Sequence, residues 1–296
     1  MLTKLNCATC IIDDLCGALD LLDLNEETKN KILKDAFYFL SKEFSTDKIP
    51  SYFITEVHRI LKRVSKIEIP FQERRDKCNQ LGMDMVKKID KEAEKFSESE
   101  RFLFLVNWVI AANHLDFRTV GTGYGFQMAE IIKKLRACVS EGLRIDQRME
   151  IYQLAKKASE ILYIHDNVGE IVFDKLLIKE FRKYGADVTS ALREGPITSD
   201  ATIEDGNTVG LDEAASKIIL AGPDTLGISL HEMSSELTKA FQVADLIIAK
   251  GQANYYALTE CKTRIPGRIA CLFRTKCEIV SSHMGETGKI NVAILI

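Results

Sequence analysis

The hydrophobic positions of this chain recur with two different periods, and the change falls near residue 160. Before it, apolar residues return every three or four positions. Ile32, Leu33, Phe37 and Leu40 form such a stripe within 26–41, and Asn25 stands where a capping side chain belongs. Residues 50–65 repeat the stripe through Phe53, Val57, Ile60 and Leu61. Residues 71–96 are rich in Lys and Glu, which predicts a long helix with one solvated face. Residues 98–112 are almost continuously apolar and predict a central buried helix. Segments 126–140 and 145–159 complete a helical series.

After residue 160 the apolar residues come in short runs, at 161–164, 187–192, 217–220, 245–249, 269–273 and 292–296. Helical stretches at 170–184 and 229–241 fall between them. Strands alternating with helices at this spacing predict a mainly parallel sheet covered on both faces. The expected fold is therefore a three-layer α/β/α domain over 99–296, attached to an all-helical N-terminal region over 1–98 that serves as lid or scaffold. There is no internal repeat and no low-complexity linker.

Bulk properties narrow the function classes. The net charge of -3, with no basic stripe interleaved with aromatics, argues against nucleic acid as a partner. The longest apolar runs, such as 103–112, fall short of the roughly 20 residues of a membrane span. The first residues carry no apolar signal segment, and Asp13 and Asp14 interrupt the next stretch, so a cytoplasmic location is expected. Eight cysteines spread over 296 residues read as reduced thiols. Cys7 and Cys10 form a single Cys-x-x-Cys pair, with Cys16 close by and Cys261, Cys271 and Cys277 near the other end. A zinc site usually needs two such pairs, so packing is favoured over a structural metal or redox role.

In open α/β sheets, ligands collect beyond the carboxyl ends of the strands. Three predicted strand ends carry candidate chemistry. Asp166 and Asn167 follow the first, within His165-Asp-Asn-Val-Gly-Glu170. Asp200 closes the polar turn after the second, and Lys250, Gly251 and Asn254 follow the run ending at Ala249. Carboxylate and amide oxygens suit magnesium or manganese rather than a thiolate-type zinc site. A lysine beside a glycine at a helix start suits an anion. A metal and a lysine facing one crevice are what phosphoryl transfer requires. Each element has a plainer alternative: Asp-Asn-x-Gly is a common turn and cap, Lys-Gly is common in loops, and Asp200 could simply cap a helix. Their joint occurrence favours function. Asn113 and Asp116 end the buried helix, as a polar terminus or facing a substrate. His165 and His231 read as structural. Gly121-Thr-Gly-Tyr-Gly125 lacks a preceding strand and the full dinucleotide spacing, and neither a nucleophile elbow nor a P-loop is present.

The arrangement resembles a known family. Asp166-Asn-Val-Gly-Glu170 with Phe173-Asp174, the Ser199-Asp200 turn and Lys250-Gly-Gln-Ala-Asn254 together are similar to the damage-control phosphatases, formerly domain of unknown function 89. Ala112-Asn-His-Leu-Asp-Phe117 fits the same family. Cys7-Ala-Thr-Cys10 and the ending Cys277-Glu-Ile-Val with His283-Met-Gly resemble its archaeal and bacterial branch. Ala253 stands where a glycine or another small residue is usual. The resemblance implies a metal-dependent phosphatase acting on small phosphorylated metabolites, either sugar phosphates or damaged intermediates. It implies Asp166, Asn167 and Asp200 as metal ligands, for manganese, cobalt, nickel or magnesium. Lys250, Gly251 and Asn254 would hold phosphate, and Glu170, Asn113 and Asp116 would line the site.

On this reading Asp166, Asp200 and Lys250 carry catalysis, with water attacking directly and one of the two aspartates orienting or deprotonating it. An aspartyl-phosphate route through Asp166 ranks second, because position 168 is Val and the Asp-x-Asp pattern of aspartate-nucleophile phosphatases is missing. Two other classes fit an α/β crevice with acidic strand ends: an S-adenosylmethionine-dependent methyltransferase and a non-catalytic metabolite-binding protein.

Overall fold

The computed structural model describes residues 1–117 and 128–296. The glycine-rich stretch 121–125 lies outside the described residues. All six apolar runs form strands: β2 (Glu160–Ile164), β3 (Asp187–Arg193), β4 (Lys217–Gly222), β5 (Leu246–Lys250), β6 (Arg268–Arg274) and β7 (Asn291–Leu295). A two-residue edge strand, β1 (Ile145–Asp146), joins them. The order across the sheet is β1-β7-β6-β5-β2-β3-β4. Neighbours run parallel except β6 with β7.

Alternation along each strand builds the three layers. In β2, Ile161 and Tyr163 enter one apolar core while Leu162 and Ile164 enter the other. The first core is covered by α5 (Glu98–Ala111) and α8 (Glu170–Lys183), the second by α10 (Ser235–Val243) and α11 (Gln252–Cys261). Burying one such side chain contributes about 1.5–3 kcal/mol. A one-residue slip would exchange every partner between the two cores, so the apolar pattern fixes the register.

The N-terminal helices are α1 (Cys7–Leu21), α2 (Glu26–Glu43), α3 (Pro50–Ser65) and α4 (Gln72–Ala93). Helices α1 and α2 pack on α3, and α4 packs on α8. Asn25 caps α2 by accepting from the Thr28 N–H at 2.8 Å. Helix α1 runs straight through Asp13 and Asp14, the two acids that interrupt the apolar pattern. Its stripe of Ile11, Leu15, Ala18 and Leu19 is buried, and Asp14 is accommodated by His58, whose Nε2 lies 2.7 Å from Oδ2.

Two helical expectations are corrected. The segment expected as one helix over 145–159 begins as strand β1, because Arg144 N and Gln147 N donate to Asn291 O and Ala293 O. The helix after it, α7 (Arg148–Ala155), is shorter than expected. The helix expected from residue 229 starts at Ser235, where the Ser234 side chain accepts from Leu237 N. The helix expected over 126–140 is α6 (Met128–Glu141). Among the described residues no helix is long and apolar enough to cross a membrane.

Sheet order positions the site. The adjacent strands β6, β5, β2 and β3 lead at their carboxyl ends to Lys276, Gly251, Asp166 and Asp200 respectively. The chain leaves β2 for β3 on one side and later returns to β5 on the other, which makes the β5–β2 boundary a topological switch point, where such sheets open a crevice.

Candidate active site

The loops after β2 and β3 are joined to each other. Val168 N donates to Ser199 O and Ala201 N to Asp166 O, both at 2.8 Å. Asn167 and Asp200 thereby become antiparallel bridge partners. On the β5 side, Gly251 adopts φ +81°, and a Cβ at that position would overlap the Asp166 carboxylate. Only glycine lets the backbone and the carboxylate approach this closely.

The Asn167 amide links the acidic groups. Its Nδ2 donates to Asp166 Oδ2 at 2.8 Å and Glu170 Oε1 at 2.7 Å, while its Oδ1 accepts from Ser199 Oγ at 2.7 Å. Glu170 Oε2 accepts from Asn113 Nδ2 at 2.6 Å and Lys250 Nζ at 2.8 Å. Lys250 also pairs with Asp174 Oδ1 at 3.3 Å. Asp174 accepts from the Tyr163 hydroxyl at 2.8 Å, and its other oxygen lies 2.8 Å from His165 Nδ1. The far side of the His165 ring meets Ser190 Oγ at 3.1 Å. Burial opposes ionisation of Asp174, but Lys250 and His165 hold its carboxyl below the usual range. Burial also opposes charge on Lys250, yet Asp174 and Glu170 hold its pKa above that of an ordinary lysine.

Lys250, expected at the phosphate, is therefore fully enclosed and bonded to two carboxylates. Asn254 acts as a clamp: its Nδ2 donates to His165 O at 3.1 Å and Lys250 O at 2.7 Å, and its Oδ1 accepts from Ile228 N at 2.9 Å. Asn113 Oδ1 accepts from Arg274 N at 2.9 Å. Together with Glu170, these residues form a buried layer beneath the strand-end loops.

A cavity of about 130 Å³ opens above that layer, between the strand ends and the N-terminal helices. Asp116, Asp166, Asn167, Ser199, Gln252 and Lys276 line one side. Cys7, Cys10 and Ile11 of α1, with Pro50 and Ile54 of α3, line the other. Lys276 is a site residue that the sequence motifs do not include. It follows β6 in Phe273-Arg-Thr-Lys276, a fourth strand end of the same kind, and that position is the signal that could have found it. Its ammonium pairs with Asp116 Oδ2, and Asp116 Oδ1 lies 2.7 Å from Ser199 Oγ, whose single proton is shared between this carboxylate and Asn167 Oδ1. Burial disfavours charge on Lys276, but Asp116 and Asp166 raise its pKa. Its backbone N–H is fixed by Gln252 Oε1 at 2.8 Å.

Asp200 is fully buried, with Gly227 N donating to Oδ1 at 2.8 Å, Thr198 Oγ1 to Oδ2 at 3.2 Å, and Arg193 Nη2 at 3.3 Å. Among the described residues, five carboxylates of this cluster (Asp116, Asp166, Glu170, Asp174 and Asp200) face three cations, Arg193, Lys250 and Lys276. The surplus negative charge is felt at the two aspartates of the loops. Burial and the neighbouring Glu170 push Asp166 well above the carboxylate range, with Asp200 and Asp116 adding to the shift against Lys276. Burial also raises Asp200, against the opposing pull of Arg193. Among the described residues no three His, Cys, Asp or Glu side chains gather as a metal-holding group. The strand-end set is instead two carboxylates and an amide. Such hard oxygen donors, in a place with surplus negative charge, meet the electrostatic requirement of a divalent cation.

Comparison with known proteins places the chain in a family. The family profile described as damage-control phosphatase ARMT1-like domain matches residues 3–290. An uncharacterised protein of Methanocaldococcus jannaschii is 33% identical over 98% of this chain and 94% of its own length. A damage-control phosphatase of Pyrococcus horikoshii is 30% identical over 96% and 94%. One from Archaeoglobus fulgidus is 28% identical over 94% of each. The crystal structure of a DUF89 family protein from Pyrococcus horikoshii superposes with a TM-score of 0.85 at 28% identity, covering 99% of both chains. With the fold and nearly the whole length matched, the chain belongs to the damage-control phosphatase family.

Proposed function

We propose that this protein is a divalent-metal-dependent phosphomonoester hydrolase of small phosphorylated metabolites, sugar phosphates and damaged phospho-metabolites among them. The observation that carries the reading is the pair Asp166 and Asp200. Both are buried and pushed up in pKa, and they sit in a cluster with more carboxylates than cations. Named relatives that match over nearly the whole chain are damage-control phosphatases.

Asp166, Asn167 and Asp200 would hold the cation, with manganese, cobalt, nickel or magnesium as the suitable ions. When bound, such an ion polarises a phosphate oxygen and lowers the pKa of the attacking water. The chain's own groups do the rest. Lys276, at the cavity wall, meets the negative charge of the transferring group. The first turn of α11, at Gln252 and Ala253, faces the same cavity and offers N–H groups to an anion. Lys250 is a positioning residue that fixes the Glu170 carboxylate, so that Glu170 in turn orients Asn167. Asp166, at the cavity wall, accepts the proton of the attacking water. The wall from α1 and α3, where Ile11, Pro50 and Ile54 stand beside Cys7, Cys10 and Asp14, limits the water around these charges and so strengthens their interactions. The free thiols and the absence of a membrane-length helix among the described residues suit a cytoplasmic enzyme.

The deciding measurement is phosphate release from a panel of phosphomonoesters with each divalent ion in turn. The expected outcome is turnover that chelation removes and that Asp166→Asn or Asp200→Asn abolishes. No release with any ion would leave a metabolite-binding protein. S-adenosylmethionine binding without a metal requirement would favour a methyltransferase, and a trapped phospho-Asp166 would replace direct water attack.

A further inference from the structure

The Cys-x-x-Cys pair remains outside the chemistry above, yet the structure places it at the site. Cys7 is the first residue of α1 and Cys10 lies one turn on, so both sit on one face of the helix. Helical geometry puts Cα atoms three residues apart at about 5 Å. That falls within the ~4.4–6.8 Å span that a disulfide bridges without moving the backbone. Cys277, at the opposite end of the sequence, joins the same cavity wall. Its sulfur lies 3.9 Å from Gln252 Nε2, and the same amide nitrogen bonds the Tyr256 hydroxyl. Tyr256 lines the same cavity as the three cysteines, and burial chiefly suppresses ionisation of its phenol. Cys7 is buried and Cys10 half-buried, and both are free thiols.

We propose that Cys7 and Cys10 form a reversible dithiol–disulfide pair in the wall of the catalytic cavity, a modification site at which oxidation alters substrate binding. The oxidant is a low-molecular-weight disulfide. The more accessible Cys10 gives up its proton, and its thiolate attacks one sulfur of that disulfide, breaking the S–S bond and releasing one small thiol. Cys7 then loses its proton and attacks the Cys10 sulfur of the mixed disulfide, releasing the second small thiol. Two protein thiols are oxidised and one small disulfide is reduced to two thiols, so electrons and protons balance. A Cys-x-x-Cys pair opening a helix has the spacing that dithiol oxidoreductases use, but burial holds both thiols here above the usual cysteine pKa, so the exchange quickens as pH rises. Here the pair flanks Ile11, on the wall that faces Asp166 and Lys276. Joining the sulfurs reshapes the surface against which the non-phosphate part of a substrate rests.

The effect on turnover rests on the phosphatase reading, whereas the disulfide does not, and the experiment separates them. The reduced full-length protein is incubated with oxidised glutathione, quenched with N-ethylmaleimide and mapped by peptide mass. The expected map shows a Cys7–Cys10 disulfide that dithiothreitol reverses. With a phosphomonoester, oxidation raises KM roughly tenfold with a smaller change in kcat, the signature of lost ground-state binding. Cys10→Ser loses this response relative to its own reduced form, whereas Cys7→Ser, which lacks the resolving thiol, stops at a Cys10–glutathione mixed disulfide in the peptide map. Full alkylation of both cysteines after oxidant, or a crosslink to Cys277 instead, overturns the pairing. A Cys7–Cys10 disulfide with unchanged kinetics overturns its coupling to the site. The peptide map of the unsubstituted protein stands even if a variant fails to fold.

Discussion

Gly251 and Asp166 share a space that admits only one side chain. Gly251 sits at φ +81°, and the carboxylate of Asp166 occupies the volume where its Cβ would be. The strand end of β5 therefore shapes the acid delivered by β2, so the residue after Lys250 determines where Asp166 points.

Gly251→Ala is accordingly expected to displace the carboxylate as well as strain the turn. A displacement of about 1 Å at a reacting group costs on the order of 100-fold in rate. The expected outcome is a kcat loss of that size in protein that remains folded by circular dichroism. Wild-type kcat in the folded variant would show that the contact is slack.

The two lysines should separate in their effects. Lys250 is sealed between Glu170 and Asp174, and removing one partner of a buried ion pair costs about 3–5 kcal/mol. Lys250→Met should therefore lower the denaturation midpoint sharply. Lys276 retains 27% side-chain exposure but its partner Asp116 is buried, so this pair lies between an exposed ion pair and the sealed Lys250 set. Lys276→Met should lower the midpoint less than Lys250→Met does, while lowering kcat/KM by about 10-fold to 100-fold, the value of a charge-assisted hydrogen bond. Urea titration and steady-state kinetics on both variants check the contrast, and equal stability losses would refute it.

Asp166 should weaken the metal-free protein. Its folded-state pKa is raised by burial and by Glu170, so its ionised form costs stability above the ordinary carboxylate pKa. That cost is relieved as pH falls through the raised value. In chelator-treated protein, Asp166→Asn should raise the melting temperature at pH 7.5, and the gain should shrink on acidification. Activity should fall to background in the same variant. A lower melting temperature at neutral pH would contradict the charge surplus.

Asp174 should behave oppositely. Lys250 and His165 overcome burial and hold its pKa below the usual value, so its ionised form adds stability above the unfolded-state pKa. That contribution is lost as pH falls through the depressed folded value. Asp174→Asn should be destabilised at neutral pH, and its deficit should narrow only at pH values below the ordinary carboxylate range. Thermal melts as a function of pH decide it, since a deficit that closes near neutrality would contradict the depressed Asp174 pKa.

The sequence made the sheet legible because its strands are buried on both faces and stand out as short apolar runs. It also brought Asp166, Asn167 and Asp200 to one place, because sheet topology gathers strand ends whatever the side chains do. Two things escaped it. Lys250 and Lys276 are both lysines after strands, and only packing reveals that one is sealed beneath the site while the other lines the cavity. Helix α1 was hidden because the partner that makes Asp14 acceptable, His58, lies 44 residues away. Local pattern reports burial well, but it does not report which distant group satisfies a buried charge.

The paired loops after β2 and β3 bear on how such an enzyme can diversify. Because Val168 and Ala201 tie the two loops together, neither can gain or lose a residue without disturbing the other. The helical wall from α1 and α3 is held by side-chain bonds such as Asp14–His58 rather than by backbone pairing. Insertions and substitutions there would change which molecules are admitted while the hydrolytic half stays constant. Heredity can thus edit the doorway and the workshop separately.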